Sequence, residues 1–242
     1  MSAMDRRILV IETSSRVGAA ALADGRTILA AENLPGTVRH AGELLPTIDR
    51  MLKQQGWPAD TLTEVFVSIG PGSFTGLRVG VTVARTLAWS IGSRVVAVPT
   101  VDALALNALQ ADPPPSRLAV VLDAKQSRVF AAAFDLREGR YQKTVDAHMI
   151  EPRAFLPRCP KPLAVLGEGI PYHRQAIEES GAKVLPEDFW WPRPEHVYRA
   201  GKDLADAGRF TPGSELMPLY IRRPEAEEKW EKLHGPGGRQ VT

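Results

Sequence analysis

Ser68-Ile-Gly-Pro-Gly-Ser-Phe-Thr-Gly-Leu-Arg-Val-Gly-Val-Thr-Val-Ala-Arg-Thr-Leu-Ala-Trp-Ser-Ile-Gly92 joins the end of an apolar, strand-like run to a helical one through a loop in which three glycines and a proline crowd between Gly70 and Gly76. Such a loop bends tightly and offers backbone N–H groups at a helix N-terminus, where phosphate or another chain's carbonyls are readily held. In the helix, at about 100° per residue, Val79, Val83 and Leu87 share one side, and Gly76, Gly80, Ala84 and Ala88 form a neighbouring stripe of small residues. Branched side chains suit packing on the chain's own sheet, and a small-residue stripe lets a second helix approach closely. From these residues alone the stripe serves either a partner helix or the chain's own packing. Arg78, Arg85 and Trp89 lie on the remaining side, where a monomer has little use for an indole.

Working outward, residues 7–13 form an apolar run ending in polar residues, a buried strand, and residues 18–23 and 27–32 flank Asp24-Gly25, a strong hairpin signal. Residues 40–55 carry Leu44, Leu45, Ile48, Met51 and Leu52 at helical spacing with Gly56 as the stop, and Pro46 predicts a kink or a helix start. Strands at 65–69 and 94–98 follow, then a helix over 100–111 with Thr100 as N-cap. Pro113-Pro114-Pro115 reads as a domain boundary. Beyond it, Arg128-Val129-Phe130-Ala131-Ala132-Ala133 echoes Arg16-Val17-Gly18-Ala19-Ala20-Ala21, and each half opens strand, polar turn, strand with Asp123 or Glu12 closing the first strand. A duplicated α/β unit is predicted, with lobes over 1–112 and 113–225 and a charged tail over 226–242.

The chain has 242 residues, 44% of them hydrophobic, enough for one large core or two modest ones. With 30 basic against 28 acidic residues there is no broad electrostatic footprint for nucleic acid. A single cysteine, Cys159, rules out an intrachain disulfide framework. No apolar run nears the roughly 20 residues of a membrane span, so the expectation is a cytoplasmic protein without membrane contact.

Ile8-Leu9-Val10-Ile11-Glu12-Thr13-Ser14-Ser15, Arg39-His40-Ala41-Gly42-Glu43-Leu44-Leu45-Pro46, the Gly70-to-Gly80 loop, Val98-Pro99-Thr100 and Pro218-Leu219-Tyr220-Ile221-Arg222 run through most of the chain. In that order they resemble the TsaB (YeaZ) family, the non-catalytic partner in forming threonylcarbamoyladenosine at position 37 of certain transfer RNAs. The resemblance implies an actin-like fold of the sugar kinase and heat-shock ATPase type with a reduced second lobe. It also implies a heterodimer with the catalytic subunit TsaD, a TsaE-like ATPase in the same complex, a homodimer when alone, and only indirect contact with tRNA. The helix after the glycine loop and the first long helix form the contact in the family. Carried to this chain, the interface is His40, Leu44, Ile48, Gly76, Gly80, Ala84, Arg85 and Trp89.

Proteins of this kind have also carried a glycoprotease label, so a peptidase is the rival reading. Zinc catalysis needs about three protein ligands, often two histidines a helical turn apart. His40, His148, His173, His196 and His234 never fall at that spacing, and the segment after residues 94–98, where the catalytic relative holds its metal, has no histidine. Gly72-Ser73-Phe74-Thr75-Gly76 is not a nucleophile elbow, and Cys159 stands in a proline-rich connector. No catalytic residue, metal ligand or cofactor is assigned. A nucleotide-binding module is the other alternative. Actin-like ATPases cradle phosphate in the first hairpin, a place taken here by Glu12, Thr13, Ser14 and Ser15, with Asp123 as counterpart. The stretch after the prolines is short for a lobe that closes over adenosine, and those residues could equally cap a turn.

Overall fold

The apolar run at the chain's start becomes β1 (Ile8–Glu12), whose five residues are all buried at the middle of a sheet. The computed structural model describes residues 6–35 and 40–221, with the backbone alone for His40; Arg39, Arg222, His234 and the expected tail over 226–242 lie outside the described residues. β2 (Ala19–Ala23) returns antiparallel to β1, and β3 (Ile28–Asn33) completes the meander. The turn between them is made by Asp24, which accepts from the N–H groups of Arg26 and Thr27 at 2.9 Å, with Gly25 at a φ of 87°. After α1 (His40–Gln55) come β4 (Glu64–Gly70), α2 (Phe74–Ile91) and β5 (Arg94–Pro99). The sheet order is β3-β2-β1-β4-β5, with β1, β4 and β5 parallel. α1 runs unbroken through Pro46, whose i−4 neighbour Gly42 is solvent-facing, so its carbonyl can tilt outward to water.

α3 (Thr100–Asn107) leads to the second half. Thr100 is its first residue rather than its cap; Pro99 holds the cap position and the Thr100 side chain is buried. There follow β6 (Arg117–Asp123), β7 (Val129–Arg137), β8 (Arg140–Ile150), α4 (Pro152–Phe155), β9 (Ala164–Leu166), α5 (Ile170–Glu179), β10 (Lys183–Val184) and α6 (Pro194–Asp206). The second sheet has the order β8-β7-β6-β9-β10, which matches the first strand for strand, with the same antiparallel meander and parallel crossover. The molecule is therefore a duplicated α/β fold of actin-like type. Its second half is the smaller, with β9 and β10 of three and two residues and α4 of four.

The two halves do not divide at 113–225 as the prolines suggest. α6 lays Val197, Tyr198 and Ala205 on the first sheet against Ile8, Val10 and Phe66. Thr211 bridges Val95, and Leu216 joins the cluster of Leu9 and Val95. In the other direction, Val101, Leu104 and Ala105 of α3 enter the second sheet's core. The reason is coverage. α1 and α2 both pack on the face of the first sheet that carries Leu9, Ile11, Val65 and Val67, and the opposite face of Ile8, Val10, Phe66, Val96 and Val98 is covered by α6 together with Ala103 of α3. Gly201 lets α6 approach, since a Cβ there would stand 2.6 Å from the Phe66 ring. The fully buried Glu64 ties the same layers by accepting from Arg6 (2.7 Å) and from Arg94, while Arg6 also reaches Asp206 of α6 (2.9 Å).

Candidate partner-docking face and interlobe cleft

The glycine loop is clamped onto the turn between β1 and β2. A Cβ on Gly72 would fall 2.2 Å from the Ser14 carbonyl oxygen, so only glycine permits the approach. Ser73 N–H donates to that carbonyl at 2.6 Å, and Ser73 Oγ caps α2 by accepting from Gly76 N–H at 3.2 Å. Two of the amides that the loop could have offered to a ligand, those of Ser73 and Gly76, are thus used within the fold.

The expected cofactor group divides in the same way. Glu12 is completely buried; one carboxylate oxygen accepts from Ser14 N–H (2.6 Å) and Ser14 Oγ (2.5 Å), and the other from Ser68 Oγ. Burial raises its pKa, with those three hydrogen bonds opposing. Thr13 is buried with its Oγ1 directed at Gly80 of α2. Of the four residues, Ser15 alone lines the cleft between the sheets. Glu12, Thr13 and Ser14 organise the turn from inside, because β1 is central and its end is covered by α2.

The interface residues need a larger correction. Gly76, Gly80 and Ala84 are buried against the chain's own sheet, where a Cβ on Gly80 would meet Thr13 Oγ1 at 2.4 Å and Ile11 Cγ2 at 3.2 Å. Leu44 and Ile48 belong to the same core. The small stripe lets α2 lie directly on β1 and β4, and the branched Val79, Val83 and Leu87 are half-buried beside α1. The assignment of the two faces is therefore reversed. Sheets present bulky Ile and Val at this point, so the helix supplies the small partner surface.

The outward residues of α2 include Phe74, Thr75, Thr86 and Ser90, and among them Arg78, Thr82, Arg85 and Trp89 follow i, i+4, i+7, i+11, the spacing of a helix–helix seam. Trp89 is 89% exposed, and Leu45 on neighbouring α1 is 56% exposed. Arg85 and Trp89, both expected at the interface, are solvent-facing; His40 opens α1 and its side chain is outside the description. Sequence reasoning missed the chain end that flanks the stripe. Gly213 packs at Ala88, Leu219 N–H donates to the Ile69 carbonyl (2.7 Å), and the Tyr220 ring meets Phe74 with its hydroxyl accepting from Arg78 (3.2 Å). The signal was the Pro218-Leu219-Tyr220-Ile221 run, noted as a motif and given no place.

The cleft, of about 490 Å³, is bounded by Ser15, Arg16 and the α2 start on one side, by Asp123, Lys125, Glu168 and Tyr172 on the other, and by Leu219 to Ile221. Burial works against the Asp123 charge, but Lys125 (2.7 Å) and His173 outweigh it and hold its carboxyl below the usual range. Among the described residues no group of His, Cys, Asp and Glu is placed to hold a metal ion, and no helix is long and apolar enough to cross a membrane. Cys159 is buried, and burial pushes its thiol up.

A protein-family model described as "TsaD: tRNA N6-adenosine threonylcarbamoyltransferase" matches residues 36–189. The chain is 29% identical over 229 residues to the Bacillus subtilis "tRNA threonylcarbamoyladenosine biosynthesis protein TsaB", covering 92% of this chain and 97% of that protein. It is 31% identical over 208 residues to the Haemophilus influenzae protein of the same name, covering 81% and 84%. YeaZ from Pseudomonas aeruginosa has the same fold, with a TM-score of 0.75 at 23% identity over 89% of this chain and 99% of that one. Similarity to TsaB proteins along nearly the whole length, on a fold shared with YeaZ and within the reach of the TsaD family model, makes this chain a member of the TsaB (YeaZ) family.

Proposed function

We propose that this chain is an accessory, non-catalytic subunit in the formation of threonylcarbamoyladenosine on transfer RNA, and that it docks on a TsaD-type transferase through the outer stripe of α2. The observation that carries the reading is Trp89, an almost fully exposed indole in line with Arg78, Thr82 and Arg85 on an 18-residue helix that the sheet holds rigid. Trp and Arg dominate the energetics of protein interfaces, and an exposed Trp beside an exposed Leu marks a docking surface. The relatives' names supply the pathway. Close approach by glycine is no part of the contact, since the glycines are used inside the fold. The same stripe can pair two copies of the chain when the transferase is absent, and a TsaE-like ATPase joins through the assembled pair.

Co-expression with the same organism's TsaD-type protein, followed by size-exclusion chromatography and a modification assay, tests this. Trp89→Ala and Arg85→Glu each weaken the complex by about 30-fold or more, the cost of a hot-spot residue, and leave the thermal midpoint of the isolated chain unchanged. A complex of undiminished affinity in both variants refutes the assignment of the stripe.

A further inference from the structure

The outer strands of a sheet leave unpaired N–H and C=O groups, and folds close such edges by shortness, charge, bulges or a covering segment. Among the described residues, the outer strands β5, β10 and β8 are closed in these ways. Thr211 N–H donates to the Val95 carbonyl at 2.8 Å and covers β5. β10 has two residues, and β8 carries Arg140, Lys143 and Asp146 along two register shifts. β3 is different. Past a shift at its start, Ala30-Ala31-Glu32-Asn33 runs in register with β2, without lysine, arginine or proline, and its one charge, Glu32, pairs with Arg50 of α1 at 2.5 Å. Leu34 N–H donates to the Gly18 carbonyl at 2.8 Å, so in this register the backbone groups of Ala30 and Glu32 point to β2 and those of Ala31 and Asn33 point away. Among the described residues nothing pairs with that outer side.

Beside the edge, on the α6 side of the sheet, lies a groove of about 390 Å³ with Ala31 and Asn33 on one wall and Trp191, Pro192 and Pro194 on the other. Side chains of an added strand alternate in direction, so every second one enters this groove. Its charges decide which kind fits. Arg193 is turned into the fold, donating to Gln110 Oε1 and to the Asp188 carbonyl, both at 2.9 Å. The carboxylates of Asp188 and Glu195, on exposed residues at the same groove, have no partner among the described residues. A long cationic side chain can lay its stem on the prolines and carry its head to those carboxylates. The Trp191 ring already holds the Arg16 guanidinium at 5.2 Å, so the incoming head lies toward Asp188 and Glu195 rather than over the indole. We propose that β3 is a docking edge, on which an extended, basic segment of another protein adds as a further strand, with a lysine or arginine seated in the groove. Main-chain bonds to Ala31 and Asn33 supply affinity, and the charge supplies selectivity. A second copy pairing through its own β3 would bring no cation to the groove, since that strand reads Ile-Leu-Ala-Ala-Glu-Asn. The edge is separated from β1 by β2 and the groove is on the face opposite α2, so this contact is independent of docking on the α2 stripe.

The test is fluorescence anisotropy of the isolated full-length chain with a labelled peptide, Thr-Val-Arg-Val-Arg-Val-Thr, and its counterpart with glutamate for each arginine. The arginine peptide binds saturably below millimolar concentration, and the glutamate peptide binds about 10-fold more weakly or less. Ala31→Pro abolishes binding, because proline removes the outward N–H and its ring blocks an approaching strand. An edge strand tolerates proline at such a position, so the thermal midpoint stays that of the parent. Joint replacement Asp188→Lys and Glu195→Lys, at exposed positions off the strand, reverses the preference between the two peptides, and this variant decides alone if Ala31→Pro fails to fold. Trp89→Ala leaves both affinities unchanged, which separates this edge from the α2 stripe. No saturable binding of the arginine peptide, equal affinity for the two peptides, undiminished binding by a folded Ala31→Pro variant, or an unchanged preference in the lysine variant overturns the proposal. So does a dimer of the free chain that Ala31→Pro dissolves, which would give the edge to a second copy.

Discussion

Replacing Gly80 by alanine separates the two roles the small-residue stripe could have had. In an exposed helix interior the change stabilises by about 1 kcal/mol, because glycine gives up more backbone freedom on folding. Here the added methyl would lie 2.4 Å from Thr13 Oγ1 and 3.2 Å from Ile11 Cγ2. Thr13 is β-branched and buried, so of the two rotamers that turn its hydroxyl away one swings its methyl into the same space and the other must push both groups into packed surroundings. Overpacking of this kind costs about 1–3 kcal/mol, and the expected net is a destabilisation of about 1 kcal/mol, a fall in midpoint of about 2–4 °C for a chain of this size. Thr13→Ala removes the obstructing atom, so in that background Gly80→Ala regains its propensity gain and becomes stabilising. Urea unfolding of the four proteins of the double-mutant cycle measures both signs. If Gly80→Ala stabilises the parent chain, or the two changes are additive, α2 does not sit on the β1 turn as described. A charged residue at Gly80 or Ala84 would unfold the protein before it reported on any partner.

Two further perturbations probe the seams between layers. His196 Nδ1 lies 2.5 Å from Asn107 Oδ1, and because the Asn107 amide donates to the carbonyls of Phe189 and Trp191, its oxygen faces the ring and the proton is on Nδ1. Burial, with Arg193 and Arg199 adding, lowers this histidine's pKa from 6.5 to about 4. The unfolded chain therefore binds more protons between those values, and stability is lost as pH falls through 6.5, reaching about 2 kcal/mol by pH 5. The unfolding free energy of the parent, from urea titrations, drops between pH 7.5 and 5 by that much more than that of His196→Gln; equal drops contradict the buried neutral ring. Glu64→Gln leaves Arg6 and Arg94 without their shared carboxylate and costs about 3 kcal/mol, read by urea unfolding; a loss below about 1 kcal/mol argues against the triad.

The duplication was legible because it rests on local signals: two apolar runs closed by Glu12 and Asp123, each followed by a polar turn and an alanine-rich return strand, specify the same meander twice. The loop and helix from Gly70 to Ile91 were equally readable, since their glycines, cap and apolar spacing act within a few residues. Which side of α2 turns outward was not. Periodicity places Gly80 and Ala84 on one stripe and Val79 and Val83 on another, but either could meet the sheet until the bulk of Ile11 and Val67 opposite is known. Whether Glu12 meets a ligand or serves the turn stayed open for a similar reason, because a carboxylate at a strand's end looks the same in sequence whether solvent or a helix covers it.

The sequence by itself determined the repeated α/β unit, the membership implied by its ordered motifs, and the outward place of Arg85 and Trp89, since these follow from short-range pattern. Tertiary structure alone decided that α6 and the segment after it return to the first sheet, that the glycine stripe faces inward, and that Glu168 shares a cleft with Arg16, Lys125 and Tyr220. Those are contacts between residues far apart in the chain, and they are set by which apolar face still needs covering once the nearer elements have packed.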